Sequence, residues 1–110
     1  MCRNQGQAFV ITLDGQHGHQ DLLDPRLQSI RIRSGKVKLE TGQSCGRHST
    51  EHCEELLIIL AGEGHLVLGD GRRLAVGSGM VAYIGPQTIH DVVNSGQEPL
   101  VYIYCVVPAD

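Results

Sequence analysis

The 110 residues hold no long helical period, no apolar run of membrane-spanning length and no basic field. Each absence removes a class. Without a sustained repeat of about 3.6 residues, a helical bundle is excluded. A membrane helix needs about 20 consecutive apolar residues, and the N-terminal MCRNQGQAFV lacks the apolar core of a secretory leader. No membrane association is therefore expected, and a cytoplasmic location is. A net charge of -3 and a pI near 6.0 offer nothing to a phosphate backbone, so a nucleic-acid partner is not expected. The cysteines Cys2, Cys45, Cys53 and Cys105 form no Cys-x-x-Cys pair. Reduced thiols are the simplest reading, with a disulfide open only if the protein were exported.

What is present is a chain of 41% hydrophobic residues with 14 glycines and 4 prolines, the composition of many short strands joined by tight turns. The length suits one domain spanning 1–110. Strands are predicted at 8–14, on both sides of a hairpin-like break at Ser34-Gly35, at 56–61, 63–68, 73–76 and 80–84, and at 100–107. Residues 15–26 read as a loop with one turn of helix near 21–23. Arg31, Arg33, Lys36 and Lys38 alternate with Ile30, Ile32, Val37 and Leu39, as on the solvated face of strands. His17 and His19, in a glycine-flanked loop with no further donor beside them, read as solvent-exposed. His65 reads as a half-buried or exposed histidine. A β-sandwich or small barrel follows.

The chemistry concentrates in Gly42 to Gly62, GQSCGRHSTEHCEELLIILAG, where His48, Glu51, His52, Glu54 and Glu55 meet the apolar run Leu56 to Ala61. That run is short enough for a strand buried on both faces. It would carry Glu55 inside, where a carboxylate needs a pairing, hydrogen-bonding or cationic partner. His90 can arrive from beyond the Gly85-Pro86 corner. A closed zinc knot of Cys45, His48, His52 and Cys53 is the structural alternative, and it would leave Glu55 and His90 idle.

These residues resemble the cupins, whose fold is a double-stranded β-helix, or jelly-roll barrel. The first cupin motif runs Gly, five residues, His, one residue, His, three or four residues, Glu, six residues, Gly. Gly42, His48, Glu55 and Gly62 fall at those positions. The second runs Gly, five residues, Pro, one residue, Gly, two residues, His, three residues, Asn. Gly79, His90 and Asn94 match it, with Gly85 and Gln87 in place of the Pro and Gly. Motif one thus covers 42–62 and motif two 79–94.

The resemblance implies one divalent transition-metal ion, iron, manganese, zinc or nickel, held in the barrel by three histidines and a glutamate. Thr50 stands at the second motif-one histidine, and threonine is a poor ligand for such ions. His52 is chemically the better replacement, giving His48, His52, Glu55 and His90 as the expected set. Strict strand alternation from residue 51 would instead favour Glu51. An empty, merely polar pocket is the remaining alternative.

Pocket walls are expected from Leu57, Ile59 and the final strand, with Tyr83, Tyr102, Tyr104 and Gln87 as candidate ligand contacts. Asn94 is expected to fix a turn. The implied function is a metal-dependent enzyme acting on a small molecule, of oxygenase or sugar isomerase type, or a non-catalytic small-ligand-binding module. A metal-free epimerase would want a His/Asp or His/Tyr pair across the pocket, a role for which Asp91, adjoining His90, is expected to point away. The resemblance also implies a homodimer.

Overall fold

A computed structural model describes residues 5–110; Cys2 lies outside them. Among the described residues there is no helix, and the strands are β1 (His19–Leu23), β2 (Arg33–Leu39), β3 (His48–Ser49), β4 (Cys53–Ala61), β5 (Glu63–Leu68), β6 (Arg73–Gly77), β7 (Val81–Ile84), β8 (Ile89–Val93) and β9 (Leu100–Pro108). They form a five-stranded sheet, β1-β2-β9-β4-β7, and a four-stranded sheet, β3-β8-β5-β6. All pairings are antiparallel. This is the all-β double-stranded β-helix expected from the sequence. Cys45, Cys53 and Cys105 carry free thiols.

Period-two alternation decides what each strand buries. On β4, Glu55, Leu57 and Ile59 point inward; Leu56 and Leu60, at 37% and 41% exposure, point out. The apolar run 56–61 is therefore packed on one face, not on both. Pairing Leu39 with Leu100, and Ile59 with Tyr102, brings β2, β9 and β4 together around a core that Leu66 and Val92 close from the opposite sheet. Toward the other end of β9 the inward residues are Tyr104 and Val106, beside Leu57 and Glu55 of β4. A cavity opens there.

Four further expectations are corrected. Ser34-Gly35 is not a turn but lies within β2, where Gly35 pairs with Tyr104. A Cβ at residue 35 would stand 2.6 Å from the Tyr104 hydroxyl, so glycine is needed here for a ring, not for a reversal. Residues 21–23 belong to β1 rather than to a helical turn.

Residues 8–14 form no strand; they belong to an N-terminal segment laid against β1 and β2. Gln20 Nε2 donates to the Thr12 carbonyl at 3.0 Å, and Lys36 Nζ donates to the carbonyls of Asp14 and His17. Lys36 is consequently 2% exposed and does not share the solvated face that the alternation suggested. Carbonyl oxygens, not water, satisfy its ammonium group.

Gly62 turns β4 into β5 with φ +85°, and a Cβ there would run into the Pro99 carbonyl oxygen. Gly71 has φ +93° with open space around it. Gly71→Ala should cost only the left-handed penalty of about 1–2 kcal/mol, whereas Gly62→Ala adds an overpacking cost of about 1–3 kcal/mol. Urea unfolding of the two variants should rank them in that order.

Candidate metal centre

His48 and His90 face each other as register partners in the short β3–β8 ladder. Their ring centroids are 4.3 Å apart and the rings are tilted by 59°. Glu55 reaches the same point from β4, in the other sheet. One donor atom from each of the three lies within 4.8 Å of the other two. His90 and Glu55 are buried and His48 is exposed, so the group sits at a wall open on one side.

Backbone carbonyls orient both rings. His48 Nδ1 lies 2.8 Å from the Gly46 oxygen and His90 Nδ1 lies 3.0 Å from the Thr88 oxygen. A carbonyl only accepts, so each Nδ1 carries the proton and each Nε2 is left to face the centre. His90 Nε2 is 3.0 Å from Glu55 Oε1. With Nδ1–H committed, that contact is attractive when His90 is an imidazolium or when a cation lies among the donors. Burial is the largest influence on His90 and opposes its charged form; the Glu55 carboxylate and the Thr88 carbonyl outweigh it, raising the pKa above the ordinary 6.5. The donor set, two imidazole nitrogens and a carboxylate, fits a divalent transition metal.

Thr50 serves another purpose. It is 7% exposed, and its hydroxyl donates to the Gly85 carbonyl at 2.6 Å while accepting from the Thr88 N–H at 3.0 Å. It thereby ties the segment after β3 to the loop that delivers His90. Glu51 and His52 form the exposed turn that follows. Glu51 adopts φ +55°, and the His52 carbonyl accepts from Ala109 N–H at 2.9 Å. The structure brings His48, Glu55 and His90 together and leaves Glu51 and His52 outside the group. Among the described residues, no such group forms from Cys45, His48, His52 and Cys53.

The cavity beside the three donors has a volume of about 390 Å³. Leu57, Val37, Val92 and Val106 give it apolar walls, and Cys45, Tyr102, Tyr104 and His19 add polar atoms. Tyr102 is 2% exposed, and burial, the main cause, pushes its phenol far above the ordinary value. Two expected contacts are elsewhere. Tyr83 is exposed on the outer face and donates to Glu54 Oε1 at 2.9 Å, because the partner of outward-facing Leu56 must itself face outward. Gln87, at φ +55° in the exposed turn after Pro86, does not line the cavity.

Asp91 accepts from Gly46 N–H at 3.0 Å and is likewise absent from the cavity wall. Asn94 is 1% exposed; its amide donates to the Leu39 and Glu98 carbonyls and its oxygen accepts from Gly96 N–H, fixing the turn before β9. His17 is exposed beside Asp14, and His65 pairs with the Ser95 hydroxyl. His19 is exposed, as read from the sequence, but it opens β1 rather than lying in a loop and meets Tyr104 at the cavity. Its only signal was the register of a strand that the loop-like GQHGHQD concealed.

Residues 35–107 match the profile of the Cupin domain family. The chain is 33% identical over 109 residues to a glucose-6-phosphate isomerase of Pyrococcus abyssi, covering 94% of this chain and 54% of that protein. It thus spans about half of that relative's length. Among solved structures, a Cupin 2 conserved barrel domain protein from Salinispora arenicola superposes with a TM-score of 0.76 at 25% identity, covering 93% of this chain and 91% of that one. An RmlC-like cupin from Methanocaldococcus jannaschii superposes with a TM-score of 0.79 at 17% identity, covering 93% and 92%, and shares the fold. With both motifs brought to one wall of a double-stranded β-helix and the family profile matched over most of its length, this chain belongs to the cupin family.

Proposed function

We propose that this cupin binds one divalent transition-metal ion through His48, Glu55 and His90 and isomerises a small hydroxy-carbonyl compound of the sugar type. The observation that carries the metal reading is the convergence on a buried carboxylate of two imidazoles whose Nδ1 atoms are held by backbone carbonyls. Iron, manganese, zinc and nickel all suit that set. A bound ion would supply Lewis-acid polarisation of a substrate oxygen. The isomerase direction is supported by the Pyrococcus abyssi relative and by a cavity large enough for a compact polyol.

The chain's own residues shape the rest. Val37, Leu57 and Val106 exclude water on the β2, β4 and β9 side, which strengthens every polar contact inside. With three protein donors instead of four, more of an ion's coordination sphere stays open to substrate oxygens. The second reading, a non-catalytic ligand-binding cupin, is favoured by Thr50, whose hydroxyl is spent on the loop rather than turned to the donors.

Elemental analysis of protein purified without added metal should find close to one equivalent of a transition metal. His48→Ala and His90→Ala should each lower metal affinity by about tenfold or more, and His52→Ala should leave the content unchanged. Metal-free His48→Ala-like content in the parent protein would sink the metal reading.

In chelator-stripped protein the raised His90 pKa has a defined sign. The folded state holds the proton more tightly, so the His90–Glu55 pair stabilises fully below pH 6.5 and its contribution fades as pH rises through the raised value. Urea midpoints followed across that window should fall with pH, and His90→Gln should flatten the slope.

A further inference from the structure

Gly35 provides the starting point. Tyr104 projects from β9, pairs with Gly35 of β2, and lies with its ring over that glycine. Crossing β2 in this way, the phenol reaches the strand beyond. There the Tyr104 hydroxyl is 3.0 Å from His19 Nε2 of β1, and the two rings are stacked at 6.0 Å with 15° between their planes. Both side chains line the cavity that holds His48, Glu55 and His90. Tyr104 and Glu55 occupy diagonal inward positions on the neighbouring strands β9 and β4, a spacing of about 7–8 Å between backbones. The hydroxyl itself points the other way, toward β1, so a ligand meets both the donor group and the phenol by filling the one cavity of about 390 Å³ that they line.

We propose that Tyr104 and His19 form a proton-exchanging pair on the cavity wall, with the Tyr104 hydroxyl touching an oxygen of the bound ligand and His19 holding the transferred proton. The proposal rests on the reading that the cavity takes a hydroxylated small molecule. Interconverting a hydroxyl and a neighbouring carbonyl requires one oxygen to lose a proton, the other to gain one, and a hydrogen to pass between the two carbons. As the Tyr104 oxygen takes the proton of the ligand hydroxyl, the phenolic O–H breaks and its proton forms an N–H bond at His19 Nε2. The ligand oxygen keeps the electron pair. That pair forms the new C=O as the hydrogen on the same carbon shifts with its electrons to the neighbouring carbon; the old C=O pair passes to the second oxygen, which takes the proton back through Tyr104 and restores His19, so atoms and charge balance within the ligand and the pair.

The surroundings suit both ends of this relay. Burial, chiefly, raises the Tyr104 pKa, and the nearby Asp21 and Glu55 carboxylates add to the shift, so the phenol rests protonated. Asp21 Oδ1 lies 3.5 Å from the same His19 nitrogen. His19 itself is half-exposed at the cavity mouth, where the ring can exchange with water. Tyr104 would be the catalytic residue, and His19 and Gly35 act through it.

Two measurements test the pair separately from the isomerase reading. The first needs no substrate: a small arylsulfonyl fluoride is reacted with the parent protein and with His19→Gln, and sulfonylation of Tyr104 is followed by mass spectrometry. His19 acting as proton acceptor should make the parent faster by about tenfold or more, and equal rates overturn the pair. The second follows interconversion of glucose 6-phosphate and fructose 6-phosphate by the metal-loaded parent, Tyr104→Phe and His19→Gln. Loss of about 100-fold or more in kcat with KM and metal content little changed supports the pair; kcat within about twofold of the parent overturns it. A parent protein that labels in a His19-dependent way yet converts neither sugar phosphate upholds the pair and overturns the isomerase reading alone. Because His19 is half-exposed, its glutamine variant keeps the test alive if Tyr104→Phe fails to fold.

Discussion

Two imidazoles and a carboxylate crowd one side of a small barrel, and the fold must hold all three there at once. This constraint organises the molecule. His48 and His90 are register partners across β3 and β8, so their spacing is set by a backbone ladder. Glu55 comes from β4, which is gripped along its length by β9 and at one edge by β7. The three donors approach from both sheets, and moving any one of them means shearing a sheet. The free energy that keeps them close comes from the apolar packing at the other end of the barrel, where Ile59, Leu66 and Leu100 are almost fully buried.

Much of this was legible because chemistry and spacing agreed. A carboxylate joined to an apolar run has to be inside, and the glycines and histidines of two segments fell at fixed distances from it. Strand assignments failed where one residue type serves two purposes. Gly35 looks like punctuation beside Ser34, yet it makes room for the Tyr104 ring inside a continuous strand. The apolar stretch at 8–14 resembles a strand, but its partners are side chains of β1 and β2 rather than a ladder. A lysine between apolar neighbours reads as solvated, and only the segment folded over it reveals Lys36 as buried.

The donor group shows the same division. The register of β3 and β8 depends on a pairing between residues 42 positions apart, which no local pattern displays, so neither their approach nor the turn at Glu51 and His52 could be read from alternation. Thr50 looked like a vacancy. Its hydroxyl bridges the two motif segments through Gly85 and Thr88, replacing a possible bond to an ion by two to the main chain. His19 was hidden for a related reason, since its importance comes from a ring two strands away.

The tautomers of both central imidazoles are dictated by main-chain oxygens, those of Gly46 and Thr88. A peptide carbonyl survives almost any amino-acid replacement at its own position, provided the backbone path is kept. The ring nitrogens that face inward are thus insulated from drift in the adjoining side chains, and descendants of this barrel could diversify the lining around an unchanged electronic centre.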